Sequence, residues 1–224
     1  IGTQHLERFG SEENIVLAKS EIISYAKKSA IVFMNDNVRD KEHFVQSAGK
    51  RTMYFYGKAS EGKVCDADVK IQSSEFEDLS MKIIMEINKT IADVNSLEVK
   101  TKLLGRHLAE DVAGAIAVVM KMGVTVEEVQ KGLESLSPLD RRMSVSKVND
   151  VVVVDDSYNV NPISSQLALK TVREMAGKNR VVVVTGGIPE QGENSKNANE
   201  EWGSFLADKA DMVVLSKTIY HEHI

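Results

Sequence analysis

The chain of 224 residues lacks the cysteines of a disulfide framework, an excess of basic residues and any long apolar run. Its one cysteine, Cys65, excludes an internal disulfide framework and fits a reducing compartment, so we expect a cytoplasmic protein. With 28 Lys plus Arg against 33 Asp plus Glu, no basic stripe is expected to bind nucleic acid. Gly114 and Lys121 interrupt the longest apolar run well short of the roughly 20 residues that span a membrane.

The residues that are present are typical of a globular protein. Hydrophobic residues make up 42% of the sequence, which is enough to bury a core without disulfide staples. At roughly 150 residues per domain, the length predicts one large domain or two modest ones. The sequence opens with Ile1-Gly2-Thr3, without an initiator methionine or signal region, so we expect a fragment of a longer protein.

The first residues alternate between helical and strand patterns. Ser11, followed by two glutamates, begins a helix that continues to about Lys28. Residues 30–34 and 52–56 have strand patterns on either side of a weaker helical pattern at 40–48. This βαβ order predicts parallel strands with helices packed on them.

The pattern changes after Gly62. Short alternating strands are predicted at 64–71, 81–87 and 97–103, and we expect them to form a small antiparallel appendix to the sheet. Two helices follow, one at 109–122 and one that Thr125 caps and that continues to about Ser135.

Residues 138–142 form the clearest domain boundary. Beyond them, Asn149-Asp150 has the composition of a hairpin turn between strands at 143–147 and 151–154. Because residues 151–154 are four valines without alternation, we expect both faces of that strand to be buried.

The remaining elements follow a β-α-β-α-β order. After the strand at 151–154, the sequence predicts a helix from Pro162 to about 176 and strands at 181–184 and 212–215, separated by a helix at 199–209. The fold class is therefore predicted as α/β, with domains at 1–140 and 141–224. The second domain is expected to be a partial doubly wound, Rossmann-like sheet.

Ligands of open parallel sheets bind at the carboxyl ends of strands, which singles out the residues after Val154 and Val184. Residues 155–161, Asp-Asp-Ser-Tyr-Asn-Val-Asn, place two carboxylates, a hydroxyl, a phenol and two amides at the first position. An acid there can accept hydrogen bonds from ribose, or Asp155 or Asp156 can simply cap the next helix.

The glycine-rich residues 185–192 follow the second strand. They match neither G-x-G-x-x-G nor G-x-x-x-x-G-K-[ST], so a complete phosphate cradle is absent from this loop. Gly186-Gly187 can equally be only a tight turn. The missing glycine fingerprint also argues against a nicotinamide-dependent oxidoreductase.

Four further residues are candidates for phosphate or metal chemistry. A neutral, partly desolvated Lys19 can add carbon dioxide and become a carbamate, an oxygen ligand for Mg²⁺ that His5 could accompany. Arg141 and Arg142 can reach phosphate oxygens bidentately. The simpler interpretations are a solvent-exposed helix lysine and a solvent-exposed pair of linker arginines. His107, at a helix start, can likewise be a capping or packing residue.

In their order along the chain, these pieces resemble the Mur ligase family, the ATP-dependent amide-forming enzymes of peptidoglycan synthesis. The resemblance rests on His5-Leu6-Glu7-Arg8-Phe9-Gly10-Ser11 with Lys19, on Gly105-Arg106-His107, on Asp140-Arg141-Arg142-Met143, on residues 155–161 and on Gly187-Ile188-Pro189-Glu190-Gln191-Gly192. The Asp-Asp-Ser-Tyr-Asn form and His-Leu-Glu-x-Phe-Gly-Ser are similar to the branch that adds D-Ala-D-Ala to UDP-MurNAc-tripeptide.

This resemblance implies a fold and a reaction. Residues 1–140 would be the later part of a central ATPase-type domain whose P-loop part is missing, and residues 141–224 the start of the C-terminal domain. The implied cofactors are ATP and Mg²⁺, and the implied partners are a UDP-MurNAc-peptide and a D-Ala-D-Ala-like amine. We expect a monomer, and we expect the fragment alone to be inactive.

The resemblance also implies roles for single residues. His5 and a carbamylated Lys19 would hold a second Mg²⁺, while Arg142 would touch the γ-phosphate side of ATP. The ribose would be bound by Asp156, with Asn159 beside it, and the adenine side would meet His107 and Asp111.

The family's His-Asn-x-x-Asn reads His107-Leu108-Ala109-Glu110-Asp111 in this chain. Leu108 cannot form the hydrogen bond of an amide, and an ionised Asp111 can only accept. Asn199 and Gly187 also depart from the branch, which usually has a histidine and an aspartate there. The second hypothesis is therefore a degenerate Mur-ligase-like module that binds nucleotide or partners without catalysis.

Overall fold

A computed structural model describes residues 5–59 and 65–216 of the chain. These residues divide into two compact units. The first unit contains the described residues up to Ile15 together with those from Leu139 onward, and the second unit is Val16–Pro138. The division after Pro138 falls inside the boundary segment 138–142, whereas the residues around His5 group with the later part of the chain.

The second unit is built on a five-stranded mixed sheet with the order β1-β2-β3-β4-β5. Its strands are β1 (Val32–Asn35), β2 (Met53–Lys58), β3 (Val69–Glu77), β4 (Ser80–Ile87) and β5 (Ser96–Thr101). The first three strands are parallel to one another, which confirms the predicted βαβ unit around helix α3 (Lys41–Ala48). The last three are antiparallel, which confirms the predicted appendix, although β3 begins and ends later than residues 64–71.

Helix α4 (Arg106–Lys121) covers this sheet with a stripe of small and branched residues. Ala113, Ile116 and Ala117 are buried against core residues such as Ile83 and Met85, which are fully buried. Small side chains along the stripe let the helix approach the sheet closely, so the core of this unit is continuous.

Helix α5 (Val126–Ser135) begins at the predicted cap. The Thr125 hydroxyl accepts a hydrogen bond from the Glu128 backbone N–H at 3.3 Å, and the Thr125 N–H donates to Glu128 Oε2 at 2.9 Å. This reciprocal capping box satisfies two amides that a helix start leaves without partners. The Thr125 N–H and the Thr125 hydroxyl both donate to Glu128 Oε2, and these two hydrogen bonds hold the pKa of Glu128 below its ordinary value.

The first unit contains a second, smaller core. Helices α6 (Pro162–Ala176) and α7 (Ser195–Lys209), a 3₁₀ turn (Gly192–Asn194) and the parallel strands β8 (Val182–Thr185) and β9 (Met212–Leu215) surround it. Leu169, Val181, Ile188, Trp202 and Leu206 are its buried members. Pro162 occupies the first helical position and Asn161 caps the helix through Ser164 N–H at 3.0 Å, as the sequence predicts. Helix α1 (Leu6–Phe9) and helix α2 (Glu12–Ser24) lie near the start of the chain.

The predicted hairpin is present, but the predicted burial of its second strand is wrong. Strands β6 (Ser144–Val148) and β7 (Val151–Asp155) are antiparallel, and Asn149 takes the left-handed conformation that the turn needs. Val151, Val152 and Val153 are nevertheless exposed. A strand is buried on both faces only where helices cover both sides of its sheet. In the described residues, β7 belongs to a two-stranded sheet with β6.

Strand β8 also has exposed valines. Val181 is buried just before it, but Val182 and Val184 are exposed. These side chains lie on the opposite face of the strand from those that pack toward α7. The two-stranded sheet of β8 and β9 therefore has one covered face rather than two.

Candidate functional site

His5 contacts a residue that lies far along the sequence in the same unit. Its Nδ1 is 2.6 Å from Glu190 Oε2, and the two side chains are 39% and 43% exposed. Both residues have left-handed backbone conformations, with φ of 59° in each case. This pair could not be predicted from the sequence, because the two residues are separated by 185 positions.

Arg142 lies in the tight loop that precedes β6. Its guanidinium stands 4.4 Å from the centre of the Tyr158 ring, and that of Arg141 stands 5.7 Å from the same ring. The Tyr158 N–H donates to the Arg141 carbonyl at 3.0 Å, so the ring is anchored to the loop that carries both cations. Ring contact restricts Arg142 while leaving it exposed, which suits a guanidinium that meets phosphate oxygens.

Asp155 and Asp156 do not cap the following helix, which Asn161 caps instead. Asp156 Oδ1 accepts from the Met143 backbone N–H at 3.0 Å, which ties the end of β7 to the Arg142 loop. Asp155 Oδ1 accepts from the Ser157 N–H at 3.0 Å, and the Ser157 hydroxyl and N–H hold the pKa of Asp155 below its ordinary value. Asn159 is half-buried in the turn that follows. The structure therefore brings Arg142 and Asp156 together at one strand end.

Lys19 lies on helix α2 and is exposed. This position agrees with the simpler interpretation of a solvent-exposed lysine, although it leaves the amine accessible to carbon dioxide.

His107 lies in the first turn of α4 and packs over Gly105. A side chain at Gly105, whose φ is 134°, would place its Cβ 2.6 Å from His107 Cε1. The glycine is therefore required both by the backbone conformation and by the imidazole above it. The predicted Gly-Arg-His start of the helix thus has a packing reason in this chain.

Asp111, one turn along α4, belongs to a polar cluster at the ends of β1 and β2. The residue as a whole is exposed, but its carboxyl is crowded by protein atoms. This desolvation, and then the charge of Glu110, raise the pKa of Asp111. Desolvation, and then Asp111 and Glu110, also raise the pKa of Tyr56.

Glu110 holds this polar cluster together, and the sequence analysis missed it. Its Oε2 accepts from Asn35 Nδ2 at 2.6 Å, and its Oε1 lies 3.5 Å from Asn37 Nδ2. Asn37 Nδ2 also donates to the Lys58 carbonyl at 2.7 Å. The rule that polar residues at strand ends form ligand sites applies at the end of β1, where it would have singled out Asn35 and Asn37 but not Glu110.

A metal ion at His5 would need ligands besides those that the described residues bring together. In residues 5–59 and 65–216, no group of three or more His, Cys, Asp or Glu side chains is placed to hold a metal ion. Mg²⁺ is often bound by one or two carboxylates plus substrate phosphates and waters rather than by an all-protein cage. A cation at His5 would therefore depend on phosphate oxygens and waters for most of its ligands. In the same part of the chain, no helix is long and apolar enough to cross a membrane.

Comparison with known proteins gives the chain a family. Residues 1–119 match the Mur ligase middle domain, and residues 141–222 match the domain described as "Mur ligase, glutamate ligase domain". The UDP-N-acetylmuramoyl-tripeptide–D-alanyl-D-alanine ligase of Bacillus subtilis is 27% identical over 216 residues, which cover 95% of this chain and 44% of that protein. The ligase of the same name from Escherichia coli is 26% identical and covers 91% of this chain and 43% of that protein. The chain thus spans less than half the length of these relatives.

Solved structures show the same likeness. MurF ligase from Thermotoga maritima, solved in complex with ADP, matches 98% of this chain and 50% of that chain, with a TM-score of 0.77 and 26% identity. A crystal structure of MurF from Acinetobacter baumannii matches 96% of this chain and 45% of that chain, with a TM-score of 0.81, and at 24% identity it shows the fold. These likenesses confirm the predicted α/β fold class. Because the family match runs through both domains in order, the chain belongs to the Mur ligase family.

Proposed function

We propose that this chain supplies nucleotide-proximal residues of an ATP-dependent carboxylate–amine ligase that adds D-Ala-D-Ala to UDP-MurNAc-tripeptide. The observation that carries the proposal is the similarity to ligases of that name over 95% of the chain. The two domains that match, and the ADP bound by the similar Thermotoga ligase, support ATP as the cofactor. A single free cysteine, buried at Cys65, supports a cytoplasmic site of action, and we propose a monomer.

The reaction brings together two anions, the peptide carboxylate and ATP, which repel each other. Residues of this chain would offset that repulsion. A peptide carboxylate oxygen attacks the γ-phosphorus of ATP, the bond to ADP breaks, and an acyl phosphate forms. The amine then attacks the acyl carbon, and the product amide and phosphate result. Arg142, exposed and restricted by Tyr158, would offset the negative charge that develops on the phosphoryl oxygens.

Asp156 and Asn159 would bind the ribose. Asp156 Oδ1 accepts from the Met143 N–H, which holds this carboxylate at the strand end where a ribose hydroxyl would meet it. Because Met143 follows Arg142 directly, the same carboxylate would hold the sugar and fix the arginine loop. His107 and Asp111 would lie on the adenine side.

Mg²⁺ would be held by His5 and a carbamylated Lys19 together with phosphate oxygens, and when bound it offsets negative charge between the reacting anions. A carbamate forms when the neutral lysine amine adds carbon dioxide and loses a proton. The exposure of Lys19 gives carbon dioxide access to the amine.

A chimera tests the proposal. Residues 1–224 would replace the matching segment of the Bacillus subtilis ligase, and amide product would be measured by mass spectrometry with ADP release. We expect ligation that depends on ATP and both substrates. Lys19→Ala should abolish it, added bicarbonate should not restore it, and Lys28→Ala, another exposed lysine, should leave it unchanged.

The same experiment separates the two hypotheses. A folded chimera that binds no ATP or binds it without ligation would favour the degenerate module, for which Leu108 and Asp111 argue. Full ligation by the Lys19→Ala chimera would remove the carbamate from the mechanism while leaving the ligase assignment intact.

A further inference from the structure

A buried amide fixes the loop that follows strand β8. Asn199 is 0% exposed; its Oδ1 accepts from the Ile188 N–H at 2.8 Å, and its Nδ2 donates to the Ile188 carbonyl at 3.1 Å. The same Nδ2 donates to the Ser195 carbonyl at 2.8 Å. At the start of the loop, the Gly187 N–H donates to Thr185 Oγ1 at 3.1 Å. One side chain therefore holds both the backbone N–H and the carbonyl of Ile188, which fixes the position of the loop just before Glu190.

The loop lies against the start of the chain. A Cβ at Gly192, whose φ is 57°, would stand 3.9 Å from the Glu7 backbone, which is ordinary contact distance. Gln191 is 2% exposed and donates to the Pro189 carbonyl at 3.0 Å. Glu190 itself projects between these contacts, and its carboxylate meets His5 at 2.6 Å.

The chemistry of this pair determines which imidazole nitrogen carries the proton. A carboxylate can only accept a hydrogen bond, so the proton between the two groups is on Nδ1 of His5. In a neutral imidazole, Nε2 is then left with its lone pair. Metal-bound histidines characteristically donate their second N–H to a carboxylate in this way, which fixes both the tautomer and the ring orientation.

We propose that Glu190 is a positioning residue that holds His5 in the Nδ1–H tautomer and presents Nε2 as the ligand atom for a divalent cation. The role of Nε2 as a cation ligand rests on the proposed function, whereas the assignment of the Nδ1–H tautomer does not. A stabilising role is a poor alternative, because ion pairs as exposed as this one contribute little to stability.

The tautomer can be measured in the 224-residue chain without metal or turnover. Two-bond ¹H–¹⁵N correlations of ¹⁵N-labelled imidazoles distinguish the tautomers, and we would record them near pH 8.5, about two units above the ordinary pKa of histidine. The signals of His5 are identified by their loss in His5→Ala. His43, which lies in the other unit and whose Nε2 is 3.1 Å from Ser20 Oγ, is an internal control.

Three variants separate the role of the carboxylate from that of the backbone. Glu190→Asn shortens the side chain while keeping a residue that tolerates the left-handed conformation. Glu190→Gln keeps an oxygen that accepts from Nδ1, and Glu193→Gln changes a neighbouring exposed carboxylate. We expect wild type, Glu190→Gln and Glu193→Gln to retain the Nδ1–H tautomer of His5, and Glu190→Asn to lose it. A wild-type His5 in the Nε2–H form, or an unchanged tautomer in a folded Glu190→Asn, would overturn the inference.

Mn²⁺ binding, followed by the electron paramagnetic resonance of the free ion, tests the cation separately. Loss of a carboxylate behind a ligating histidine lowers metal affinity about 10–100-fold, so Glu190→Asn should weaken Mn²⁺ binding by that factor. If His5→Ala binds Mn²⁺ as tightly as wild type, the metal role in the proposed function fails. The tautomer result would then still decide whether Glu190 positions His5.

Discussion

A methyl group added at Gly114 tests how closely helix α4 and the sheet approach each other. A Cβ there would stand 2.7 Å from Tyr56 Cζ and between 2.9 and 3.0 Å from both neighbouring ring carbons. Real Cβ atoms do not come so near, so the ring would have to move. Tyr56 is held in strand β2 and packs against the core of this unit, so its ring cannot move freely.

Two opposing effects decide the sign for Gly114→Ala. Alanine is favoured over glycine inside a helix by about 0.5–1 kcal/mol. Overpacking of a well-packed core costs about 1–3 kcal/mol. We therefore expect Gly114→Ala to reduce the free energy of unfolding of this unit by about 0–2.5 kcal/mol, the difference between those two ranges.

Gly132 provides the matched control. It also lies inside a helix, α5, but a Cβ there would meet nothing within 4 Å. Gly132→Ala should therefore stabilise the unit by about 0.5–1 kcal/mol through helix propensity alone. Hydrogen exchange of amides in α4 and β2, measured across a urea series, reports this unit separately from the other. A Gly114→Ala protein as stable as Gly132→Ala would refute the close approach.

Two further predictions concern charge and base recognition. Asp211 Oδ2 accepts from the Val181 N–H at 2.7 Å and from Arg173 at 2.9 Å, and these bonds lower the pKa of Asp211 below 3.8. Because the pKa of Asp211 is lower in the folded state, its carboxylate stabilises the fold at pH values above 3.8, and this stability is lost as the pH falls through the folded-state pKa. Asp211→Asn should therefore flatten the acid side of the profile of thermal stability against pH. An unchanged slope would contradict this role. Replacing Leu108 and Asp111 together by asparagine should tighten ATP binding measured by calorimetry; equal affinity would place the adenine elsewhere.

Elements with local signals could be predicted from the sequence. The Thr125 cap, the proline at the start of α6 and the strand Met212–Leu215 each depend on residues that are close together in the chain. Whether these elements form depends little on distant contacts, so the sequence pattern was sufficient to predict them.

Strand β3 shows why other boundaries were missed. Its pairing with β4 shifts between Ile71 and Ser73, which is a β-bulge. The buried positions therefore run Val69, Ile71 and then Ser74, so the spacing of two is interrupted once. An extra residue in one strand breaks the alternation that identifies a strand, and the predicted strand ended at the bulge.

Composition alone also misjudged the valine strand at 151–154. A run of valines is compatible with a strand buried on both faces, but whether layers cover those faces depends on other parts of the chain. The same limit applies to the site. The strand-end rule singled out Asp156 and the family resemblance singled out Arg142, whereas Glu190 and Glu110 depend on partners 185 and 75 residues away.

The only tryptophan of the chain shares a hydrogen-bond acceptor with the loop that carries Glu190. Trp202 Nε1 donates to Thr185 Oγ1 at 3.3 Å, the same oxygen that accepts from the Gly187 N–H. Indole emission depends on the polarity around that nitrogen. Any rearrangement of the loop that withdraws the threonine hydroxyl should therefore change the colour of the protein's intrinsic fluorescence, which gives the loop an optical signal that needs no label.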